Sequence, residues 1–282
     1  MLTETRRVNR FYLPLALLAG MALPFAFSPV SFFPLAMISP AILFYLYLNL
    51  SSGRAALAGF VFGLGLFGVG VSWVYVAFHE FGHTSVFVSA LMTTIFVAVL
   101  ALFPALQSFL SVYFWQKIRT RIAAENRALL LLFPALWGLS EWVRGWLFTG
   151  FPWLSLGYSQ TDSPLAGYAP VLGVYGLSLL LAVCAGLLLQ LLRNRSQWKG
   201  LLGFLLLIWL GGFMLTKYDW TQPTGKPIRV SLVQGNVPQI TKWDPKMIQV
   251  RLDTYARLTR EHWDSDLIVW PENSMTTFYN DL

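Results

Sequence analysis

"SVFVSALMTTIFVAVLALFPALQSFLSVYFW", residues 85–115, runs for 31 residues without one charged side chain. A helix needs about 20 predominantly apolar residues to cross the hydrocarbon core of a bilayer, so this stretch places the fold in lipid. It is too short for two crossing helices and a turn, and it predicts one long helix. The residues after it turn abruptly basic, with Lys117, Arg119, Arg121 and Arg127. Across all 282 residues, 56% are hydrophobic and only 12% are charged, roughly half the charged share of an average soluble domain.

Working outward, apolar runs predict spans near 11–28, 32–49, 55–77, 85–115, 128–148, 168–192 and 200–216, about seven in all. The connecting segments test that number. Arg6, Arg7 and Arg10 precede the first span and Arg54 follows the second. The 116–127 loop carries four cations, and Arg193, Arg195 and Lys199 follow the sixth span. The intervening segments 27–31, 78–84 and 149–167 carry none. Cations thus fall in every second connection, and the positive-inside rule sets the N-terminus in the cytoplasm and everything from about 218 onward outside it. The first span follows an arginine-rich stretch with no small-x-small cleavage site after it, so we read it as a retained anchor.

This topology also accounts for the charge. Residues 1–217 hold 13 Lys/Arg against 5 Asp/Glu, and residues 218–282 hold 7 against 8. The net +7 therefore belongs to the membrane part, and no nucleic-acid partner is needed to explain it. The single cysteine, Cys184, excludes an intrachain disulfide. It sits mid-span in "LLLAVCAGLLLQ" and reads as a small apolar residue.

Charge inside a span is a functional hint. "SEWVRGW" places Glu141 and Arg144 three residues apart, on one helix face where they can pair. A structural ion pair and a contact between Arg144 and a lipid phosphate are both open readings. The next loop, "FTGFPWLSLGYSQTDSPLAGYAP" (148–170), has Asp162 as its sole charge and carries Phe151, Trp153, Tyr158 and Tyr168. It reads either as an interfacial aromatic belt or as the wall of a site that opens sideways to the bilayer.

"HEFGH" (79–83) matches the H-E-x-x-H of zinc peptidases, which need both histidines on one helix and a third ligand. Gly82 and the position between two spans argue against a continuous helix. We read the segment as a polar rim loop, with an intramembrane zinc protease as the rival.

From Pro227 the pattern changes. In "IRVSLVQGN", Ile228, Val230 and Leu232 alternate with Arg229, Ser231 and Val233, which predicts a strand ending by Gly235. "WDPKMIQVRLDTYARLTREHW" predicts a helix, with Asp244 as N-cap, Pro245 as first residue, and Ile248, Leu252, Tyr255 and Leu258 on one face. In "SDLIVWPEN", Leu267 to Trp270 predict a parallel strand buried on both faces. Strand, helix, strand forms a right-handed crossover unit, whose ligands gather at the carboxyl ends of the strands. Glu272 falls at that edge and is a candidate general base.

At these residues the chain resembles a known family. "VSLVQGNVPQITKWDP" (230–245) and "LIVWPENS" (267–274) are similar to the start of the nitrilase-like domain of bacterial apolipoprotein N-acyltransferases. "GVSWVYVAFHEFG" (70–82) and "RGWLFTGFPWLSLGYSQTDSPLAGYAPVLGVYGLS" (144–178) resemble that family's membrane segments. "WPE" alone is shared across nitrilase-like amidases, whereas "WPE" after seven spans together with the "FPWLSLGYSQ" loop is specific.

The resemblance implies an α-helical polytopic membrane bundle (1–217), followed by the start of an extracytoplasmic α/β nitrilase-like domain of the αββα sandwich type (218–282). It implies a monomer in the bacterial inner membrane. A cysteine takes an acyl chain from a membrane phospholipid as a thioester. The chain then passes to the α-amine of a diacylglyceryl-apolipoprotein. Glu272 matches the glutamate of the family's Glu–Lys–Cys triad, and Trp243 matches a tryptophan near the active site. Arg144, Trp153 and Tyr158 are further candidates for substrate contact. No metal or cofactor is implied. The family's lysine and cysteine, the rest of the sandwich and a returning span would lie beyond Leu282, so the resemblance implies a fragment that is inactive alone. The rival readings are a membrane-tethered nitrilase-like amidohydrolase, the zinc protease, and a transporter resting on the spans alone.

Overall fold

Glycine and proline decide where the apolar runs become helices and how closely those helices approach. The computed structural model describes residues 11–121, 123–194, 196–242, 244–272 and 274–275. It divides into two units, Met1–Trp220 and Thr221–Leu282.

In the first unit, α1 (Tyr12–Ala22) runs into a 3₁₀ turn, Leu23–Ala26, where Pro24 ends the α-helical bonding. It is followed by α2 (Leu35–Asn49), which contains Pro40, and α3 (Ser52–Gly70). α3 is the central slab. A Cβ on Gly63 would sit 2.7 Å from Ala101 Cα, and one on Gly59 would sit 2.3 Å from the Pro104 carbonyl oxygen. The Gly59-x-x-x-Gly63 face thus admits the next long helix at backbone contact, the small-x-x-x-small device of helix packing in lipid. That helix is α5 (Val86–Ile118), a single helix of 33 residues, as its unbroken sequence predicts.

Between α3 and α5 the structure departs from the expected span. α3 stops at Gly70, not near 77, and the chain turns into a one-turn helix, α4 (Val74–Val76), and a π turn, Ala77–Phe81. Hydropathy cannot see this break, because "VSWVYVAF" stays apolar while the backbone leaves the α3 axis.

The fifth apolar run is also divided. A short helix, α6 (Ala124–Arg127), passes through a π turn, Ala128–Leu132, into α7 (Phe133–Arg144). Pro134 has no N–H for the helical ladder, and a wider π turn on its N-terminal side is a common accommodation. A 3₁₀ turn at Pro164–Tyr168 leads into α8 (Ala169–Arg193), broken after its first turn by Gly173 at φ 64°, and α9 (Trp198–Leu215) follows.

Among the described residues, four helical segments are long and apolar enough to cross a membrane: Ser52–Gly70, Val86–Ile118, Pro164–Arg193 and Trp198–Leu215. Two shorter apolar helical segments, Tyr12–Ala26 and Leu35–Asn49, join them. The core is aromatic where α2, α3 and α7 meet. Tyr47 packs edge-on to Phe133 at 5.2 Å, Phe44 lies 5.4 Å from Phe133, and Phe62 is edge-on to Trp137 at 6.0 Å. The Tyr47 hydroxyl bonds Gln107 Oε1 at 2.9 Å and Ser108 Oγ at 2.7 Å, so these polar groups are satisfied by one another across helices. Outward side chains such as Phe87, Ile95, Leu102 and Leu106 on α5 are exposed, as a lipid-facing surface requires.

In the second unit, β1 (Val230–Leu232) and β2 (Leu267–Val269) pair in parallel, with Val230 opposite Leu267 and Leu232 opposite Val269. The crossover carries a 3₁₀ turn, Pro245–Met247, and α10 (Ile248–Glu261). Asp244 caps this turn, its carboxylate accepting from Lys246 N at 2.9 Å. The expectation that Leu267–Trp270 is buried on both faces is corrected. Leu267 and Val269 are 48% and 40% exposed, because the sheet has only two strands among the described residues.

Candidate functional site

The sequence candidates gather in two places, one in each unit. In the first unit, Glu141 and Arg144 occupy the last turn of α7, and both are buried. They do not close the simple ion pair that their spacing suggests. The Arg144 guanidinium turns back onto the following loop, donating to the carbonyls of Phe151 (2.9 Å) and Trp153 and to Ser155 Oγ (3.2 Å). The Glu141 carboxylate accepts from Leu156 N at 3.0 Å and from Trp137 Nε1 at 2.8 Å. The two charges therefore fix one loop, the arginine through its carbonyls and the glutamate through an amide.

That loop is folded throughout. It passes through 3₁₀ turns at Leu147–Thr149, Leu156–Gln160 and Pro164–Tyr168. Its small polar residues face inward: Ser159 Oγ donates to Leu156 O at 2.6 Å, and Ser163 Oγ to Gln160 Oε1 at 2.6 Å. Phe148, Trp153 and Tyr158 face out, whereas Phe151 and Tyr168 pack against the core. Trp153 is 51% exposed, stacked on Phe151 at 5.0 Å, which in turn meets Phe96 edge-on at 5.1 Å. Trp73 lies 6.1 Å from Trp153. Tyr158 is 53% exposed. Arg144 and Trp153 are thus joined through a backbone carbonyl, and Tyr158 stands on the next turn of the same loop.

The HEFGH segment is split. His79, Glu80 and Phe81 end the π turn, Gly82 caps it, and His83 takes a left-handed φ of 50°. The two histidines are therefore not one turn apart on a common helix. His79 Nδ1 is hydrogen-bonded with the Thr84 carbonyl at 2.8 Å. Among the described residues no three His, Cys, Asp or Glu side chains come together as a metal site would require.

In the second unit both strands end at one edge. Past β2, the Ser274 amide donates to the Pro271 carbonyl at 3.2 Å, and Glu272 stands exposed at the turn this bond closes. A cavity of about 190 Å³ lies beside it, lined by Gln234, Asn236, Lys242, Arg251, Tyr255 and Glu272 among others. The floor is rigid. Tyr255 is buried and stacks on Trp270 at 5.1 Å, and Trp270 Nε1 bonds Thr259 Oγ1 at 2.9 Å. Gly235 is required there, since a Cβ would come within 2.7 Å of the Tyr255 ring. Arg251, also buried, donates to the carbonyls of Thr241 (3.0 Å) and Asp244 (3.3 Å), and so ties down the segment that carries Lys242. Trp243 lies outside the described residues.

The edge thus gathers one carboxylate and two cationic side chains around a single cavity. Cys184, the one thiol of the chain, is wholly buried within α8. Sequence reasoning did not single out Lys242 or Arg251. Arg251 was detectable, because it falls three residues after Ile248 and four before Tyr255, on the apolar face, where a cation has to find partners.

The sequence model described as "Apolipoprotein N-acyltransferase N-terminal domain" matches residues 19–187. An apolipoprotein N-acyltransferase of Methylococcus capsulatus is 48% identical over 270 residues, covering 95% of this chain and 52% of that protein. Proteins of the same name from Coxiella burnetii and Nitrosomonas europaea are 44% and 46% identical, over 94% and 95% of this chain and 54% and 53% of their own length. The chain thus spans about half the length of these relatives. With more than half of its residues matched, the chain belongs to the apolipoprotein N-acyltransferase family.

Proposed function

We propose that this chain supplies the membrane domain and the base-bearing edge of an enzyme that N-acylates lipoproteins in the bacterial inner membrane. The observation that carries the reading is Glu272. It stands on a tight turn at the carboxyl edge of a parallel strand–helix–strand unit, beside Lys242 and Arg251, in a chain whose relatives bear the N-acyltransferase name. In this reading the helical segments make seven spans, the N-terminus is cytoplasmic, and residues 218–282 begin a nitrilase-like domain outside the cytoplasm.

The chemistry has two halves. A cysteine thiolate attacks the ester carbonyl of a membrane phospholipid, and the lysophospholipid leaves as the alcohol. The α-amine of a diacylglyceryl-apolipoprotein then attacks the thioester, forming the amide and restoring the thiol. Glu272 takes the thiol proton in the first half, delivers it to the leaving alkoxide, and takes the amine proton in the second. Trp153 and Tyr158 meet the donor's acyl chain, Arg144 acts by holding their loop, and Trp243 is a further candidate because it matches a tryptophan near the family's active site. Cys184, buried in α8, is not the nucleophile, and the 282 residues do not complete the transfer unaided.

The test is a product assay on these residues in a chain extended to the relatives' length, with phospholipid as donor and a synthetic diacylglyceryl lipopeptide as acceptor. N-acylated lipopeptide in the mass spectrum supports the reading. Free fatty acid without amide would replace it with a membrane-tethered hydrolase.

A further inference from the structure

Away from the loop and the sheet edge, α1, α2 and α8 border an open groove of about 510 Å³. Its volume falls within the roughly 300–1,000 Å³ of small-molecule sites. It is lined by Leu15 of α1, Ile38, Ile42 and Tyr45 of α2, and Leu189 and Arg193 of α8, among others. Almost every lining atom is apolar, so water has no partners there, and an empty groove would forfeit dispersion contacts on all three helices. A hydrocarbon chain satisfies it.

One end of the groove is charged. Arg193 is the last residue of α8. On the span order read from the sequence, that end lies on the same side as the start of α1, the end of α2 and the end of α5. This is the side where Arg54, Lys117, Arg119 and Arg121 collect. Arg193 is held in place by Glu125, with Nε to Oε1 at 2.8 Å and Nη2 to Oε2 at 3.4 Å. Those contacts use two of the five donors a guanidinium carries. The ligand that fits an apolar slot headed by a fixed arginine on a cation-rich rim is an amphiphile with a long chain and an anionic phosphate.

We propose that this groove binds one anionic glycerophospholipid of the leaflet on the cation-rich side, with an acyl chain along α1, α2 and α8 and its phosphate on Arg193. The site holds no nucleophile or base and is separate from any acyl-donor site. It rests on the membrane embedding of the helices, not on the acyl-transfer reading.

The experiment is native mass spectrometry of the purified chain in detergent, titrated with dioleoyl phosphatidylglycerol or dioleoyl phosphatidylcholine. The chain retains one phosphatidylglycerol in preference to phosphatidylcholine. Ile38→Trp and Leu192→Trp, at exposed lining positions, fill the groove and reduce retention of both lipids several-fold, with an unchanged melting temperature showing that the fold persists. Arg193→Gln removes the preference for phosphatidylglycerol, by about fivefold on the usual worth of one cation near a membrane surface. Glu125→Gln frees the guanidinium and strengthens the preference. Tryptophan variants that retain lipid as the parent does would overturn the proposal. So would Glu125→Gln and Arg193→Gln weakening the preference alike, since the ion pair would then be structural only.

Discussion

Arg144 and Phe151 are bonded twice. Arg144 Nη1 donates to the Phe151 carbonyl at 2.9 Å, and the Phe151 amide donates to the Arg144 carbonyl at 2.8 Å. Together with Glu141 on Leu156 N, this pins the aromatic loop to the end of α7. Removing the guanidinium leaves the Phe151 and Trp153 carbonyls short of a donor and Glu141 without its neighbouring charge. Arg144→Ala should destabilise the chain by roughly 3–5 kcal/mol, the usual cost of stripping one member from a buried charged set. Glu141→Gln keeps an acceptor for Leu156 N and should cost less. Melting temperatures in detergent check the order of the two.

In the first unit α3 packs on α5 at backbone contact. Gly63→Val forces a Cβ into Ala101, 2.7 Å away, and should separate the helices and lower the melting temperature strongly. Gly68 on the same helix has nothing within 4 Å of its Cβ position. Gly68→Ala should be neutral, or stabilising by up to about 1 kcal/mol from helix propensity. Equal effects at both positions would contradict the packing described here.

In the second unit, Asp244→Ala removes the cap on Lys246 N and should cost about 1 kcal/mol. Gly235→Ala meets Tyr255 and should disturb the sheet edge. The check is amide hydrogen exchange at Val233 and Gln234, which Gly235→Ala should speed if the stack of Tyr255 on Trp270 is displaced.

Apolar runs and alternating cations made the helical segments legible, and the single helix through Pro104 followed from its length alone. What escaped was set by contacts that a linear pattern does not carry. The turn at Gly70 lies inside an unbroken apolar run. Glu141 and Arg144 were visible as a pair, but their partners are backbone atoms of residues 151–156, which no spacing rule reveals. The same holds for Arg251, whose carbonyl partners lie before its helix begins. β1, α10 and β2 were legible from alternation, capping and an apolar run. The exposure of Leu267 and Val269 was not, because burial of a strand depends on neighbours outside its own sequence.

The central claim is that Glu272 is the base of an acyl transfer. It is tested most directly by trapping the acyl-enzyme with radiolabelled phospholipid in a chain extended to the relatives' length, with and without Glu272→Gln. Glu272 is exposed on its turn, so the substitution should leave the melting temperature unchanged while labelled thioester falls by about 10²-fold or more, the usual worth of a positioned base. Undiminished thioester in the Glu272→Gln protein would contradict the account.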